Sequence, residues 1–349
     1  MRCRIASFIA PVAAFLALAA QAQPMAEVPD MAIDAATRAS VIAGALEALD
    51  QRYVFPEVAA KAVADVKRRD AAGEYAAITS AKALAKTLTD DLQGVAHDKH
   101  LRVIYRPAPQ AGAGPGAMPM PGPRGNSEAF QKSVNYGYEK AERLLGNVGL
   151  IEVRSFGTER AGTEVAVAAA MAFLAHTDAL IIDVRRNGGG DPEMVALLCS
   201  YLFDERTHLN DLYWREGART EEFWTRDLVA GPRYGMKKPV FVLTSKRTFS
   251  GAEEFANNLK VLKRATIVGE TTGGGANPGG VQALGERFEI FVPTGRAINP
   301  VTKTNWEGTG VEPDVAVPAD QALDTARELA LKALGRPVPV SPARPAASS

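Results

Sequence analysis

The chain has 349 residues, of which 46% are hydrophobic and 23% are charged, and this composition predicts a folded globular protein with room for two domains. Its 40 lysine and arginine residues balance its 40 aspartate and glutamate residues. Balanced charge predicts no basic surface for nucleic acid, so we expect no nucleic-acid partner.

The N-terminus has the features of a secretory signal peptide. Arg2 and Arg4 precede an apolar, alanine-rich run at 5–20, and a small-x-small cleavage site ends at Ala22. The apolar run is short for a membrane span, and Pro11 interrupts it. We therefore predict a signal peptide at 1–22, a periplasmic or secreted protein, and no stable membrane insertion after cleavage.

An N-terminal helical domain is predicted at 23–95. It contains three alanine-rich segments, at 35–53, 58–72 and 78–92. In each segment apolar residues recur every three or four positions, which predicts a helix with one buried face. The role expected of this small domain is that of a scaffold.

A connecting region is predicted at 96–148. Taken alone, His100 is best explained as a surface loop histidine before a short strand at 101–105. His97 and His100 lack a third ligand at zinc-ligand spacing, so no metal site is predicted. Residues 106–125 are rich in proline, glycine and alanine, which predicts a flexible loop.

From Gly149 onward the pattern predicts an α/β domain, which extends to residue 334 and precedes a disordered tail at 335–349. Residues 180–184 form an apolar run typical of a strand buried on both faces. The glycines at 188–190 follow it and allow backbone N–H groups to approach a ligand oxygen closely. This turn lacks the lysine and the glycine spacing of nucleotide-binding loops.

Ser250 lies at a second junction between a predicted strand, 239–244, and a predicted helix, 252–263. At a helix N-terminus, unpaired N–H groups favour the negative charge that forms when a serine attacks a carbonyl. The simpler alternative is that Ser250 is an N-cap, with Glu253 at the capping-box position. This stretch alone leaves both alternatives open.

Four separated motifs occur in a fixed order along the chain. They are DKH at 98–100, DVRRNGGG at 183–190, TFSGAEEF at 248–255 and WEGTGVEPD at 306–314. Together they resemble the S41 serine peptidases, which include the tail-specific proteases. They are most similar to the branch with the tricorn core protease and the repeats of interphotoreceptor retinoid-binding protein.

The resemblance implies an α/β fold with a crotonase/ClpP-like ββα core and a small N-terminal helical bundle. It also implies a serine endopeptidase that acts on unstructured peptides or proteins without a cofactor. Carried over motif by motif, Ser250 is the nucleophile, His100 the base and Glu307 the group that orients the base. The backbone N–H groups of Gly251 and Gly189 form the implied oxyanion hole.

The chain departs from the tail-specific branch in two respects. No lysine lies between Lys263 and Lys303, which argues against a Ser/Lys dyad, and the segment between Tyr105 and Gly149 is too short for a PDZ domain. Lys99 also stands where the resemblance implies an assisting serine. The alternative function is therefore a catalytically weak or inactive module that binds a ligand or peptide on the same fold.

Overall fold

A computed structural model describes residues 29–107, 127–285 and 287–338. The predicted signal peptide, and most of the predicted loop 106–125 and of the predicted tail, lie outside the described residues. The helices are α1 (Ala35–Arg52), α2 (Pro56–Ala71), α3 (Ala81–Ala96), α4 (Glu128–Ser133), α5 (Arg160–Leu174), α6 (Pro192–Ser200), α7 (Gly251–Val261) and α8 (Ala322–Ala333). Within the described part of the chain, none of these helices combines the length and apolar character needed to cross a bilayer.

The strands form one large sheet and two small ones. They are β1 (Arg102–Tyr105), β2 (Tyr138–Leu144), β3 (Val148–Val153), β4 (Ala179–Asp183), β5 (His208–Trp214), β6 (Arg219–Trp224), β7 (Val240–Thr244), β8 (Thr266–Gly269), β9 (Gly279–Ala283), β10 (Phe288–Pro293), β11 (Gly295–Ile298) and β12 (Val315–Ala316). The large sheet has the order β12-β8-β7-β4-β3-β2, and the small sheets have the orders β1-β10-β9 and β11-β5-β6.

The large sheet is covered by helices on both faces. Leu180 and Ile182 of β4 point into a core with α5, α6 and α7, whereas Ala179 and Ile181 point into a core with α8. This double burial explains the apolar run that the sequence shows here. Strands β4 and β7 are parallel neighbours, so the turns that follow their carboxyl ends meet at one edge of the sheet.

The N-terminal helices pack together, but they do not close their core alone. Strand β1 pairs with β10, and β10 pairs with β9. Val103, Ile290 and Val292 of this sheet are buried among the side chains of α1, α2 and α3. A distant part of the chain therefore supplies one wall of the helical domain.

The predicted α/β fold class with a helical N-terminal region is confirmed, and the described residues between β1 and β3 contain no PDZ domain. Strand β2 was not predicted; it lies inside the predicted connecting region and joins the edge of the large sheet. Four of the seven β2 residues are charged and four are exposed, so the strand lacks the apolar alternation by which a strand is recognised.

Candidate active site

The Ser250 turn joins β7 to α7 in a strained backbone conformation. Ser250 has φ 55° and ψ −125°, a region that residues with a side chain rarely adopt. Ser250 and Glu253 occupy the two capping-box positions, and the Glu253 carboxylate accepts the Ser250 N–H at 2.9 Å. The Glu253 N–H donates to the Ser250 carbonyl oxygen at 2.8 Å, and no hydrogen bond among the described residues engages the Ser250 hydroxyl. It therefore stays available for other chemistry.

Glu253 links this turn to the glycine-rich loop that follows β8. Its side chain is fully buried and also accepts hydrogen bonds from Thr272 Oγ1 at 2.5 Å, Gly274 N at 2.6 Å and Gly275 N at 2.8 Å. Burial raises the pKa of Glu253, and these donors oppose the increase. The sequence indicated the capping position of Glu253 but not its contacts with the loop, because the loop is remote in sequence.

The glycine turn after β4 lies directly against Ser250. A Cβ atom on Gly189 would lie 2.8 Å from Ser250 Cβ and 2.8 Å from Gly251 N, and Gly189 has φ 105°. The Gly189 N–H donates to Asn187 Oδ1 at 2.8 Å. Among the described residues, the N–H groups of Gly251 and Gly190 have no hydrogen-bond acceptor. Gly251 thus offers the free donor that the prediction requires, whereas the predicted donor Gly189 is engaged with Asn187.

His100 lies in the turn between helix α3 and strand β1. Helix α3 ends where His97 adopts a left-handed conformation with φ 53°. The His100 side chain is only 5% exposed, so its interpretation as a surface loop histidine is wrong. Its ring packs on Phe249, the residue next to Ser250, at a centroid distance of 4.5 Å. Apolar neighbours thus enclose most of this imidazole.

The His100 imidazole is uncharged at neutral pH. Burial, together with the positive charge of Arg102, lowers the pKa of His100 to about 4. Within the described residues, no hydrogen bond joins the ring to Ser250, and Nδ1 is buried without a partner. The histidine and the serine are therefore neighbours whose side chains are not yet in hydrogen-bond contact.

Two carboxylates flank His100. A ring nitrogen of His100 and one oxygen each of Asp98 and Glu307 lie within 4.8 Å of one another. Glu307 Oε2 accepts the Ala276 N–H at 2.5 Å, while Glu307 Oε1 is buried without a partner among the described residues. Burial, together with the charge of Asp98, raises the pKa of Glu307 to about 8. The structure thus places Glu307 beside His100, although the two residues lie far apart in the sequence.

Asp98 is a site residue for which no role was predicted. It is buried, and its Oδ2 accepts hydrogen bonds from Tyr53 at 3.2 Å and from Asn277 Nδ2 at 2.9 Å. Its Oδ1 accepts the His100 backbone N–H at 2.9 Å. Burial raises the pKa of Asp98 despite these donors. Its place in the DKH motif was the signal that could have identified it.

Lys99, the departure from the implied motif, is exposed. Its Nζ donates to the Gly273 carbonyl oxygen at 2.5 Å. The side chain therefore connects the turn that carries His100 to the same glycine-rich loop that Glu253 holds.

Comparison with known proteins gives matches over both parts of the chain. Residues 147–317 match the model of peptidase family S41, and residues 33–138 match the model of the N-terminal domain of S41 peptidases in eukaryotic interphotoreceptor retinoid-binding protein. The second match agrees with the branch indicated by the sequence motifs. Together the two models cover most of the described chain.

Solved structures with the same fold include three proteins of low sequence identity. A candidate peptidase from Parabacteroides merdae has a TM-score of 0.58 at 19% identity, over 84% of this chain and 96% of that chain. The photosystem II D1 C-terminal processing protease has a TM-score of 0.50 at 17% identity, over 88% and 99%. The tricorn protease has a TM-score of 0.53 at 14% identity, over 86% of this chain and 37% of its own. With the fold shared and both family models matched, the chain belongs to peptidase family S41.

Proposed function

We propose that this S41 peptidase is a periplasmic or secreted serine endopeptidase that cleaves unstructured peptides or proteins through an acyl-enzyme on Ser250. The observation that carries the proposal is the strained Ser250 turn, whose hydroxyl is not used as a helix cap. Backbone strain of this kind persists only where the surrounding structure maintains it, and it is concentrated at functional sites. Glu253 supplies that support.

In the proposed reaction His100 is the general base. Its uncharged imidazole takes the proton of the Ser250 hydroxyl as Oγ attacks the scissile carbonyl carbon. It then gives this proton to the leaving amine when the C–N bond breaks, and water hydrolyses the acyl ester in the reverse sense. The positive charge that forms on the imidazole favours the ionised forms of Glu307 and Asp98 beside it, and their carboxylates then stabilise the imidazolium in each half of the reaction.

The oxyanion of each tetrahedral intermediate requires preorganised N–H donors. The unbonded N–H of Gly251 serves as one donor. The turn at 188–190 supplies the second, either from Gly189 after its release from Asn187 or from Gly190, whose N–H is unbonded. Each such donor contributes about 3 kcal/mol to transition-state stabilisation in other acyl-transfer enzymes.

Substrate binding is expected to bring Ser250 and His100 into hydrogen-bond contact. Catalytic hydrogen bonds are commonly long or misaligned in the absence of substrate and become shorter in the Michaelis complex. The packing of His100 on Phe249, the residue next to Ser250, holds the imidazole in the neighbourhood of the serine.

Replacement of the nucleophile tests the proposal directly. We expect Ser250→Ala to abolish hydrolysis of an unstructured protein and labelling by a fluorophosphonate, with an unchanged circular dichroism spectrum. Ser133→Ala, at an exposed serine at the end of α4, should retain both activities. Absence of both from the wild-type protein over roughly pH 6 to 9, where a histidine base operates, would favour the binding-module alternative instead.

The proposed location has its own test. In a bacterial host, the protein recovered from the periplasm or medium should begin at Gln23, as measured by intact mass, because cleavage after Ala22 satisfies the small-x-small rule. Ala20→Arg and Ala22→Arg together should block processing. Recovery of the full-length wild-type chain from the cytoplasm alone would contradict this location.

A further inference from the structure

We infer that Asp98, His100 and Glu307 form a binding site for one divalent transition-metal ion, for which Zn²⁺ is best suited. The sequence predicted no metal site because no third ligand stood near His97 and His100. The fold supplies the missing ligands because it places Glu307, which is distant in the sequence, and the buried side chain of Asp98 beside His100.

The ligand geometry requires only small side-chain movements. One atom from each residue lies within 4.8 Å of the other two. Zn²⁺ bonds to nitrogen and oxygen are about 2.0–2.2 Å long, which places tetrahedral ligand atoms about 3.3–3.6 Å apart. Rotations about the side-chain bonds of Glu307 and His100 can close the difference.

Two of the three side chains each have one atom without a hydrogen-bond partner among the described residues. His100 Nδ1 and Glu307 Oε1 are both buried and unpaired among the described residues. Buried polar atoms are nearly always satisfied, so these two unpaired atoms on neighbouring side chains are available to bind a ligand. The buried carboxylate of Asp98 and the half-buried carboxylate of Glu307 also repel each other when both are ionised, and a cation between them removes that repulsion.

The surroundings resemble the outer shell of a metal site. Tyr53 and Asn277 donate hydrogen bonds to Asp98, and the Ala276 N–H donates to Glu307. Such outer partners orient metal ligands and commonly change metal affinity by about 10- to 100-fold when removed. Tyr53 at the end of α1 and residues 276–277 of the glycine-rich loop therefore hold the two carboxylates in place.

The donor set selects the type of ion. One imidazole and two carboxylates supply three protein ligands, the number found in tetrahedral zinc sites whose fourth position is open to water or substrate. Ca²⁺ needs six to eight oxygen ligands, and Mg²⁺ needs octahedral oxygen coordination. A buried site with a single imidazole therefore favours Zn²⁺ over both.

Metal binding has a consequence that rests on the proposed function. Coordination occupies the lone pair of His100 and the carboxylate of Glu307, which are the groups proposed to serve Ser250. The bound ion would therefore inhibit hydrolysis, and a chelator would restore it. Metal binding itself does not depend on whether the protein is a peptidase.

The first experiment measures binding without reference to activity. The protein is stripped with a chelator, and Zn²⁺ is titrated by isothermal calorimetry, with Co²⁺ absorption as an independent report of tetrahedral coordination. We expect one equivalent to bind to the wild-type protein. We expect Asp98→Asn and Glu307→Gln each to weaken binding on the order of 100-fold.

A matched control is available at a second histidine–carboxylate pair. His208 Nε2 lies 2.6 Å from Asp211 Oδ1, away from the three proposed ligands. His208→Ala should leave Zn²⁺ affinity unchanged. Absence of binding to the wild-type protein, or binding that survives Glu307→Gln and is lost in His208→Ala, would overturn the inference.

Two further measurements keep the inference testable if a variant fails to fold. The chain has four histidines, so imidazole nitrogen resonances of the wild-type protein can be assigned. Zn²⁺ should shift the His100 ring and leave those of His97, His176 and His208 in place, and the reverse pattern would contradict the site. Zn²⁺ binding without any hydrolysis in the stripped protein would count against the proposed function while supporting the metal site.

Discussion

Two adjacent acids at the start of α7 are both buried, but they differ in what surrounds them. Glu253 accepts hydrogen bonds from the Ser250 turn and from the glycine-rich loop. Glu254 Oε1 has no close hydrogen bond among the described residues, and the side-chain amides of Asn210 and Asn258 lie near the carboxyl group without good hydrogen-bond geometry. Its hydrogen bonds stabilise the Glu253 carboxylate, whereas ionisation of the Glu254 side chain destabilises the folded protein.

This difference predicts a pH dependence of stability that originates at Glu254. Burial raises the pKa of Glu254 from 4.5 to about 8, and the nearby amides of Asn210 and Asn258 offset part of the increase. The folded state therefore holds the proton more tightly than the unfolded state. The free energy of unfolding should fall as the pH rises from about 4.5 to about 8, by up to about 1.4 kcal/mol per pH unit from this group.

Denaturant unfolding at several pH values checks this prediction. Glu254→Gln, which carries no ionisable group, should reduce the loss of stability over that interval relative to the wild-type protein. Glu216→Gln, at an exposed position, should leave the wild-type slope unchanged. Equal slopes for wild-type protein and Glu254→Gln would mean that Glu254 does not ionise at a raised pKa.

At the scale of elements, the candidate site depends on two strand-to-helix junctions that meet. The turn after β4 reaches the turn after β7 because the two strands are parallel neighbours. The contact is close enough that Gly189 touches Ser250, whereas a Cβ atom on Gly188 would meet no other group within 4 Å. Adjacent glycines of the same turn thus have different structural roles.

Gly189→Ala should damage the Ser250 turn. An added Cβ would meet Ser250 Cβ at 2.8 Å, and φ 105° is unfavourable for alanine. We expect the rate of fluorophosphonate labelling to fall on the order of 100-fold, comparable to the loss of one oxyanion donor. Gly188→Ala should label at nearly the wild-type rate, and a similar loss in both variants would show that the effect is not specific to this contact.

Element types were predictable where apolar periodicity is strong. The sequence indicated α1, α2 and α7, and the buried strands β4 and β7, to within a few residues. It did not indicate β5, β6 or β11, which form a small antiparallel sheet whose strands mix charged, aromatic and apolar residues. Their pairing depends on tertiary context, which no local pattern records.

At the scale of the whole molecule, the helical domain and the α/β domain share structure. Ile290 of β10 is fully buried among the N-terminal helices, although it follows them by most of the chain. The helical domain was predictable from its apolar periodicity. The packing of β10 against its helices was not predictable, because a contact between residues so distant leaves no signal in a single sequence. The same reason explains why Asp98 and Glu307 did not reveal a joint site.

Removal of the Ile290 side chain from strand β10 should destabilise the protein. Ile290→Ala removes a side chain from the core of the helical domain, and comparable substitutions cost about 2–5 kcal/mol. Urea unfolding followed by fluorescence would measure the change. Val281→Ala on the neighbouring strand β9, where the side chain is 51% exposed, should change stability by less than about 0.5 kcal/mol.

The three residues of the proposed site are synthesised at widely separated times during translation. His100 leaves the ribosome early, Ser250 follows after most of the large sheet, and Glu307 comes last. His100 also packs on Phe291 of β10, so its enclosure waits for that strand. Because chains emerge from the N-terminus, a nascent molecule has no complete site until nearly all of its fold has been synthesised. A chain that ends before Glu307 therefore lacks part of the proposed site, even when His100 and Ser250 are both present.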